Sequence, residues 1–303
     1  SIRAYDPTTG GYNSYTVNGA YDGYINSKKT MRFSDTDWLD AISRTGFMRN
    51  YDLSLSGATD KFTGLFSLGY KKNDVILKYS NFENFSARFN STYQVNKIVS
   101  VGENATITYS KQCDSAPMEN ALKMAPTVPV YEEDGETFGG PVGGMSDRQN
   151  PLREMYQNRD NALKIWRVFG NAFVDVKPLK GLVLRSNFGL DYYHSFIHSM
   201  THTFKSDIVN NDIPSTTLGT NDDVRWTWSN TANYNFDIAT DHHFTVLAGM
   251  ELHKQTKEES SAYAQSFDLE DKDYMWPDAG TGIRRSSGIG SGYTLASFFG
   301  KVD

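Results

Sequence analysis

The stretch NYDLSLSGATDKFTGLFSLGY, residues 50–70, puts Tyr51, Leu53, Leu55 and Gly57 at every second position, with Asp52, Ser54 and Ser56 between them. After ATDK the pattern resumes as Phe62, Gly64, Phe66, Leu68 and Tyr70, with Thr63, Ser67 and Gly69 opposite. Successive side chains of an extended strand point to opposite faces, so these two runs predict a hairpin with one oily face and one polar face.

The same period returns along the chain. Phe85, Ala87, Phe89 and Tyr93 alternate with Ser86, Arg88, Asn90 and Thr92. Val99, Val101, Ala105, Ile107 and Tyr109 share a side, on which Glu103 is a misfit that marks a strand end or a register shift. Trp166, Val168, Ala172, Val174 and Val176 oppose Arg167, Asn171 and Asp175, with Phe169 and Phe173 on the polar side. Leu182, Leu184, Phe188, Leu190 and Tyr192 alternate with Arg185, Asn187, Asp191 and Tyr193. Trp226, Trp228, Ala232, Tyr234 and Phe236 face away from Thr227, Ser229, Thr231, Asn233 and Asn235, and Phe244, Val246, Ala248, Met250 and Leu252 away from Thr245, Gly249 and Glu251. About nine strands result, each near the roughly 9 to 11 residues of a tilted membrane-spanning strand.

The links alternate in length. ATDK, QVNKI, KPLKG and DIATDHH are short and turn-like, whereas the others are longer polar excursions, the largest spanning Lys111 to Lys164. Short turns on one rim and long loops on the other are the pattern of an outer-membrane barrel. Within the largest excursion, APMENALKMAP and NPLREMYQNRD predict short helices with Pro117 and Pro151 at their first positions and Asn150 as a cap. SDTDWLDAISRTG predicts another, capped by Ser34, Asp35 or Thr36, stopped by Gly46, and burying Trp38, Leu39 and Ile42. Residues 1–35 lack a clean period and read as an irregular lead-in.

Composition narrows the classes. The 303 residues are 14% aromatic, which suits strands, and no apolar run approaches the roughly 20 residues of a membrane helix. The 30 basic residues are scattered among 36 acidic ones, for a net charge of -6, so nucleic acid is not an expected partner. A single cysteine, Cys113, forms no internal disulfide. The start SIRAYDPTTG has no signal-like region and the end SFFGKVD stops within a strand pattern, so both ends read as a piece of something longer.

Alternation alone also fits a soluble β-sandwich. Two features favour a barrel in lipid: Tyr and Trp recur at strand ends (Tyr51, Tyr70, Tyr93, Tyr109, Trp166, Tyr192, Trp226, Tyr234), and polar residues fill the other face at mid-strand. Strands in lipid must pair on both edges, so the sheet closes, and the strands that complete it lie outside this sequence.

FSDTDWLDAISRTGFMRNYDLSLSG, FSLGYKKNDVILKYSNFENFSARFNSTYQVNKIVSVGENATITYS, PTVPVYEEDGETFGGP, NPLREMY and LASFFGKV, in this order, resemble the barrel of SusC/RagA-type TonB-dependent transporters. The resemblance implies an all-β, transmembrane antiparallel barrel of about 22 strands. Residues 1–35 would be the lead-in after an absent plug and 36–303 a partial barrel. It further implies residence in a bacterial outer membrane, import of an oligosaccharide or a peptide, a SusD-like lipoprotein lid, and TonB acting through an N-terminal region absent here.

Arg88, Asn90, Arg185, Asn187, Asp191 and Asn233 are then the expected lining of a hydrated lumen, and the loop aromatics Tyr131, Phe138 and Trp276 the expected substrate contacts. His194, His198 and His202 recur every fourth residue, but with no carboxylate or cysteine at ligand spacing they read as a strand running into a loop. DLEDKD (268–273) and NND (210–212) could offer oxygens to Ca²⁺, yet neither matches a calcium-loop spacing, and solvated acidic tips are the preferred reading. No cofactor is expected. FGGPVGG and GIGSG read as surface turns. No nucleophile has a placed base, so the chain is not read as an enzyme. The alternatives are a soluble glycan-binding β-sandwich and a structural barrel that does not transport.

Overall fold

The computed structural model describes residues 2–6, 11–15, 23–144, 147–206, 208–238 and 242–303. Two short strands, β1 (Ile2–Asp6) and β2 (Gly11–Tyr15), pair antiparallel by themselves.

The remaining strands are β3 (Phe47–Ala58), β4 (Phe62–Asp74), β5 (Asn81–Gln94), β6 (Val99–Cys113), β7 (Ala162–Leu179), β8 (Leu182–Thr201), β9 (Ser215–Ile238), β10 (His242–Gln265) and β11 (Arg284–Val302). They form one nine-stranded sheet in chain order, every neighbour antiparallel. Among the described residues no second sheet of comparable size covers the apolar face, as a sandwich would require. No described helix is long and apolar enough to cross a membrane.

Register carries the alternation from strand to strand. Tyr51 stands opposite Tyr70, Tyr70 opposite Phe85, Phe85 opposite Tyr109, and Tyr109 opposite Trp166. The polar set is on the other side, where Ser54 and Ser67 share a 2.9 Å hydrogen bond. Leu53, Leu55, Phe85, Phe188 and Phe298 are exposed, as a face turned to lipid requires. The apolar stretch of β10, Phe244 to Leu252, covers roughly 20 to 25 Å along the membrane normal at the usual strand rise and tilt.

Glu103 sits on the apolar face with no register shift around it. It lies near the short-turn end of β6 and accepts a 2.7 Å hydrogen bond from the Ser91 hydroxyl, so the strand-end explanation applies. The one register shift of this hairpin series lies between Val176 and Leu179 and contains Pro178, which has no N–H to give the ladder. Gly181 turns the chain there with φ of +86°.

The turns 59–61, 95–98 and 180–181 define one rim; the DIATDHH link falls partly on residues 239–241, outside the described residues. The excursions 75–80, 114–161, 202–214 and 266–283 define the other. Above that second rim, residues 23–44 and 114–161 build a small core of Met31, Trp38, Ile42, Met124, Val128, Leu152 and Met155. Three short helices serve it: α1 (Trp38–Ile42), α2 (Met118–Lys123) and α3 (Pro151–Gln157). Asn150 caps α3 as expected, accepting from the Leu152 and Arg153 amides at 3.0 and 3.1 Å.

The α1 expectations need correction. Its cap is Asp37, which accepts from the Leu39 and Asp40 amides, because Thr36 instead donates its hydroxyl to the Val128 carbonyl. The helix ends at Ser43, well before Gly46, and Leu39 is exposed. The glycine segments are corrected too. Gly139 and Gly140 are buried, and a Cβ on Gly140 would meet Ser206 Cβ at 2.2 Å, so this segment is a close crossing of two loops. GIGSG lies inside β11, paired with β10.

Candidate functional site

The polar face of the sheet carries a connected set of charged and amide groups at mid-wall. Arg167 donates through Nε and Nη2 to both carboxylate oxygens of Asp191, at 2.9 and 2.8 Å. Asp191 stands opposite Arg225, whose Nη2 donates to Asp223 at 2.5 Å. Gln255 donates to Asp223 from the next strand, and Lys257, directly opposite Asp223, pairs with Glu259. Three same-face positions nearer the short turns along β8, Arg185 makes the same two-pronged contact with Asp175 at 2.6 and 2.7 Å. The planar guanidinium matches a carboxylate edge, so both geometry and charge hold these pairs.

Amides continue this wall. Asn90 stands opposite Asn104 and Asn104 opposite Asn171, while Asn171 donates to Asn187 at 2.6 Å. A recess of about 340 Å³ opens among Arg167, Asp191, Tyr193, Asn221, Asp223 and Arg225. Its walls present donors and acceptors of both signs, a surface able to hold polar cargo or water.

Strand parity places all six expected lining residues on this face. Arg185, Asn187 and Asp191 lie within the charged set, and Asn90 joins it through the amide row. Arg88 stands between Ser67 and Thr106. Asn233 is separate, near the short-turn rim between Val183 and Leu247. Sequence reading missed Asn104, Asp223, Arg225 and Lys257 as members. Their strand period was visible for β9, but which of its polar residues meet Arg167 and Asp191 depends on cross-strand register.

At the mouth, Tyr131 and Phe138 bridge one another with ring centroids 5.1 Å apart, and Phe138 meets Tyr156 at 5.6 Å. Phe138 packs against the loop core, whereas Tyr131 stays exposed. Burial by this cluster pushes the Tyr131 phenol above its ordinary pKa. Trp276 belongs to a different loop, half exposed, with its ring 4.8 Å from that of His198.

The three histidines diverge in their contacts. His194 pairs with Asp222 at 2.8 Å, His198 Nε2 lies 3.0 Å from both Thr216 Oγ1 and the Met275 carbonyl, and His202 lies 3.5 Å from Glu270. Glu270 also accepts from the Thr203 amide and hydroxyl, at 2.6 and 2.5 Å. Asp271 accepts from the Asp273 amide, and Asn210 from the Ser206 amide. Among the described residues no three His, Cys, Asp or Glu side chains gather as a metal site. Glu270, through His202 and Thr203, joins the 266–283 loop to the 202–214 loop, and His198 joins β8 to the 266–283 loop through the Met275 carbonyl.

No protein-family model matches the chain. The TonB-dependent receptor P26 of Formosa agariphila is 25% identical over 294 residues, covering 96% of this chain and 29% of that receptor. TonB-dependent receptor SusC of Bacteroides thetaiotaomicron is 28% identical over 159 residues, 51% of this chain and 15% of SusC. The RagAB peptide importer in its open-open state superposes with a TM-score of 0.78 at 20% identity, over 95% of this chain and 34% of the importer chain. In sequence and fold the chain resembles a barrel segment of the SusC/RagA-type TonB-dependent receptors. The chain spans less than a third of the length of those curated relatives. These relatives are named as receptors and transporters.

Proposed function

We propose that the segment forms part of the wall and mouth of an outer-membrane importer. Residues 36–303 would be the barrel portion, and residues 1–35 the lead-in after a plug. The observation that carries this reading is the two-sided sheet: an apolar outer face of membrane height, and an inner face lined by Arg167, Asp191, Asp223 and Arg225. Such an inner face requires water or polar cargo against it. An oligosaccharide or a peptide suits this lining equally, since hydroxyls, amides and charged ends all find partners there. The RagAB relative is described as a peptide importer.

Arg88, Asn90, Arg185, Asn187, Asp191 and Asn233 would line the passage, with Tyr131, Phe138 and Trp276 at the entrance. Tyr131 and Trp276 are the better contacts, because Phe138 is partly committed to the loop core. A SusD-like lipoprotein would close the mouth, and TonB would act through the plug region. The test is uptake of labelled oligosaccharide and peptide mixtures by cells carrying the full-length receptor. TonB-dependent uptake that falls when Asp191 and Asp223 are replaced by Ala supports the reading. A receptor properly inserted in the outer membrane, with no TonB-dependent uptake of either class, overturns it.

A further inference from the structure

Five residues of the outer face form one register row at the long-loop end of the wall. Arg49 stands opposite Lys72, Lys72 opposite Glu83, Glu83 opposite Lys111, and Lys111 opposite Lys164. Asp74 takes Arg49 at 3.4 Å, and Glu83 takes Lys72 at 3.3 Å while accepting from the Tyr70 hydroxyl at 3.2 Å. The two carboxylates are thus engaged by the two cations of β3 and β4. Lys111 and Lys164 face each other directly, and among the described residues neither forms an ion pair. The Lys164 ammonium lies 5.8 Å from the ring centroid of Phe196. Like charges directly opposed across a strand pair are destabilising, so this position calls for an anion between them.

The next outward row toward the membrane centre is Tyr51, Tyr70, Phe85, Tyr109 and Trp166. A groove of about 470 Å³ opens along it. Its floor is the row Leu53, Leu68, Ala87 and Ile107, where small Ala87 leaves a dip between larger neighbours. An apolar groove therefore runs directly into two cations that form no ion pair among the described residues, at the level where aromatic side chains mark the lipid interface. The long-loop rim faces the outside in this architecture, so the site meets the outer leaflet.

We propose that this face holds a phosphate-bearing acyl glycolipid of the outer leaflet. Its phosphate sits between Lys111 and Lys164, and one acyl chain lies in the groove over Ala87. A phosphate supplies the multiple negative oxygens that two ammonium groups can share, which a neutral headgroup lacks. Embedded in the wall, the lipid would neutralise the repulsion between β6 and β7 and brace the strands beneath the largest loop.

The test is native mass spectrometry of the full-length receptor in detergent, titrated with lipid A, dephosphorylated lipid A, phosphatidylglycerol and inorganic phosphate. Lipid A should bind and its dephosphorylated form should not. Lys111→Gln with Lys164→Gln should weaken lipid A binding roughly 25-fold, about fivefold per lysine, while Lys164→Arg should retain it. Equal binding by the double variant, by dephosphorylated lipid A or by phosphatidylglycerol, or displacement by inorganic phosphate, overturns the proposal. If the double variant fails to show heat-modifiable migration, the comparison of lipid A with its dephosphorylated form on the unaltered receptor decides alone.

Discussion

The guanidinium of Arg153 lies 3.4 Å from the ring centroid of Phe204, joining the helix-bearing 114–161 loop to the 202–214 loop. Arg153 is only 5% exposed. Its Nη2 donates to Gln149 at 2.9 Å, its Nε has no partner, and the adjacent Glu154 accepts from Asn120 instead. The aromatic face is thus the main compensation for a desolvated cation.

Arg153 therefore gives an unusual expectation. Burial lowers its pKa from the ordinary arginine range to about 10, so folding disfavours the charged form. That cost is present at neutral pH and is relieved as pH rises from about 10 toward the higher unfolded arginine value. Arg153→Met should leave the mouth as stable or make it more so at pH 7, since an apolar side chain of similar length removes the desolvation cost. Phe204→Ala should weaken the mouth by about 2 kcal/mol by uncovering the cation. Hydrogen exchange across 150–157 and 202–206 measures both. A large loss of protection in Arg153→Met would show that the cation stabilises the contact.

The inner-wall pairs should couple measurably but modestly. Arg167 and Asp191 are joined by two parallel hydrogen bonds, with the arginine side chain 51% and the aspartate 19% exposed. Arg167→Gln and Asp191→Asn, singly and together, should give a coupling of about 1 kcal/mol in urea unfolding of the full-length receptor, reduced at high salt. Coupling indistinguishable from zero would mean that the wall is too wet for the pair to matter.

Much of this was legible from the sequence, for identifiable reasons. Faces followed from period two, so Leu53 and Ser54 could be assigned without any partner strand. The α3 cap was readable because Asn150 and Pro151 act locally. The α1 cap was not, because Thr36 is drawn away by Val128, a residue distant in sequence. The charged set was half visible for the same reason: Arg185 and Asp191 share one strand, but Arg225 and Asp223 reach them only through register. The Lys111–Lys164 opposition was hidden by the 114–161 excursion that separates their strands. GIGSG misled because glycine signals a turn in isolation, whereas β10 supplies the pairing that holds it as strand.

The loop tip 134–137 should respond to acid. Asp134 accepts the Thr137 hydroxyl at 2.6 Å and the Glu136 and Thr137 amides at 2.9 Å, which hold its carboxyl below the ordinary value. The hydroxyl contributes most, then the amides. Because the folded pKa is depressed, this stabilisation is complete above the ordinary carboxylate pKa and disappears as pH falls through the lower folded one. Exchange protection at Glu136 and Thr137 should therefore collapse only in strong acid. Asp134→Asn should lower protection at pH 7 and flatten its pH dependence; an unchanged profile would contradict the assignment.

The sharpest test of the two faces exploits a one-residue step. Leu68 lies on the outer face at mid-wall, opposite Leu53 and Ala87, while Ser67 lies on the inner face, opposite Ser54 and Arg88. A charge at mid-depth in lipid has no water to solvate it, and Leu68→Arg should destabilise the inserted receptor by about 2 to 4 kcal/mol. Ser67→Arg points the same charge into the hydrated interior and should cost under about 1 kcal/mol. Near the rim, Glu103→Gln should also change little, because headgroup water and the Ser91 hydroxyl already serve that side chain. Heat-modifiable migration and urea unfolding in lipid vesicles distinguish these outcomes. If the penalties at 67 and 68 were equal, the assignment of one face to lipid and the other to water would be wrong.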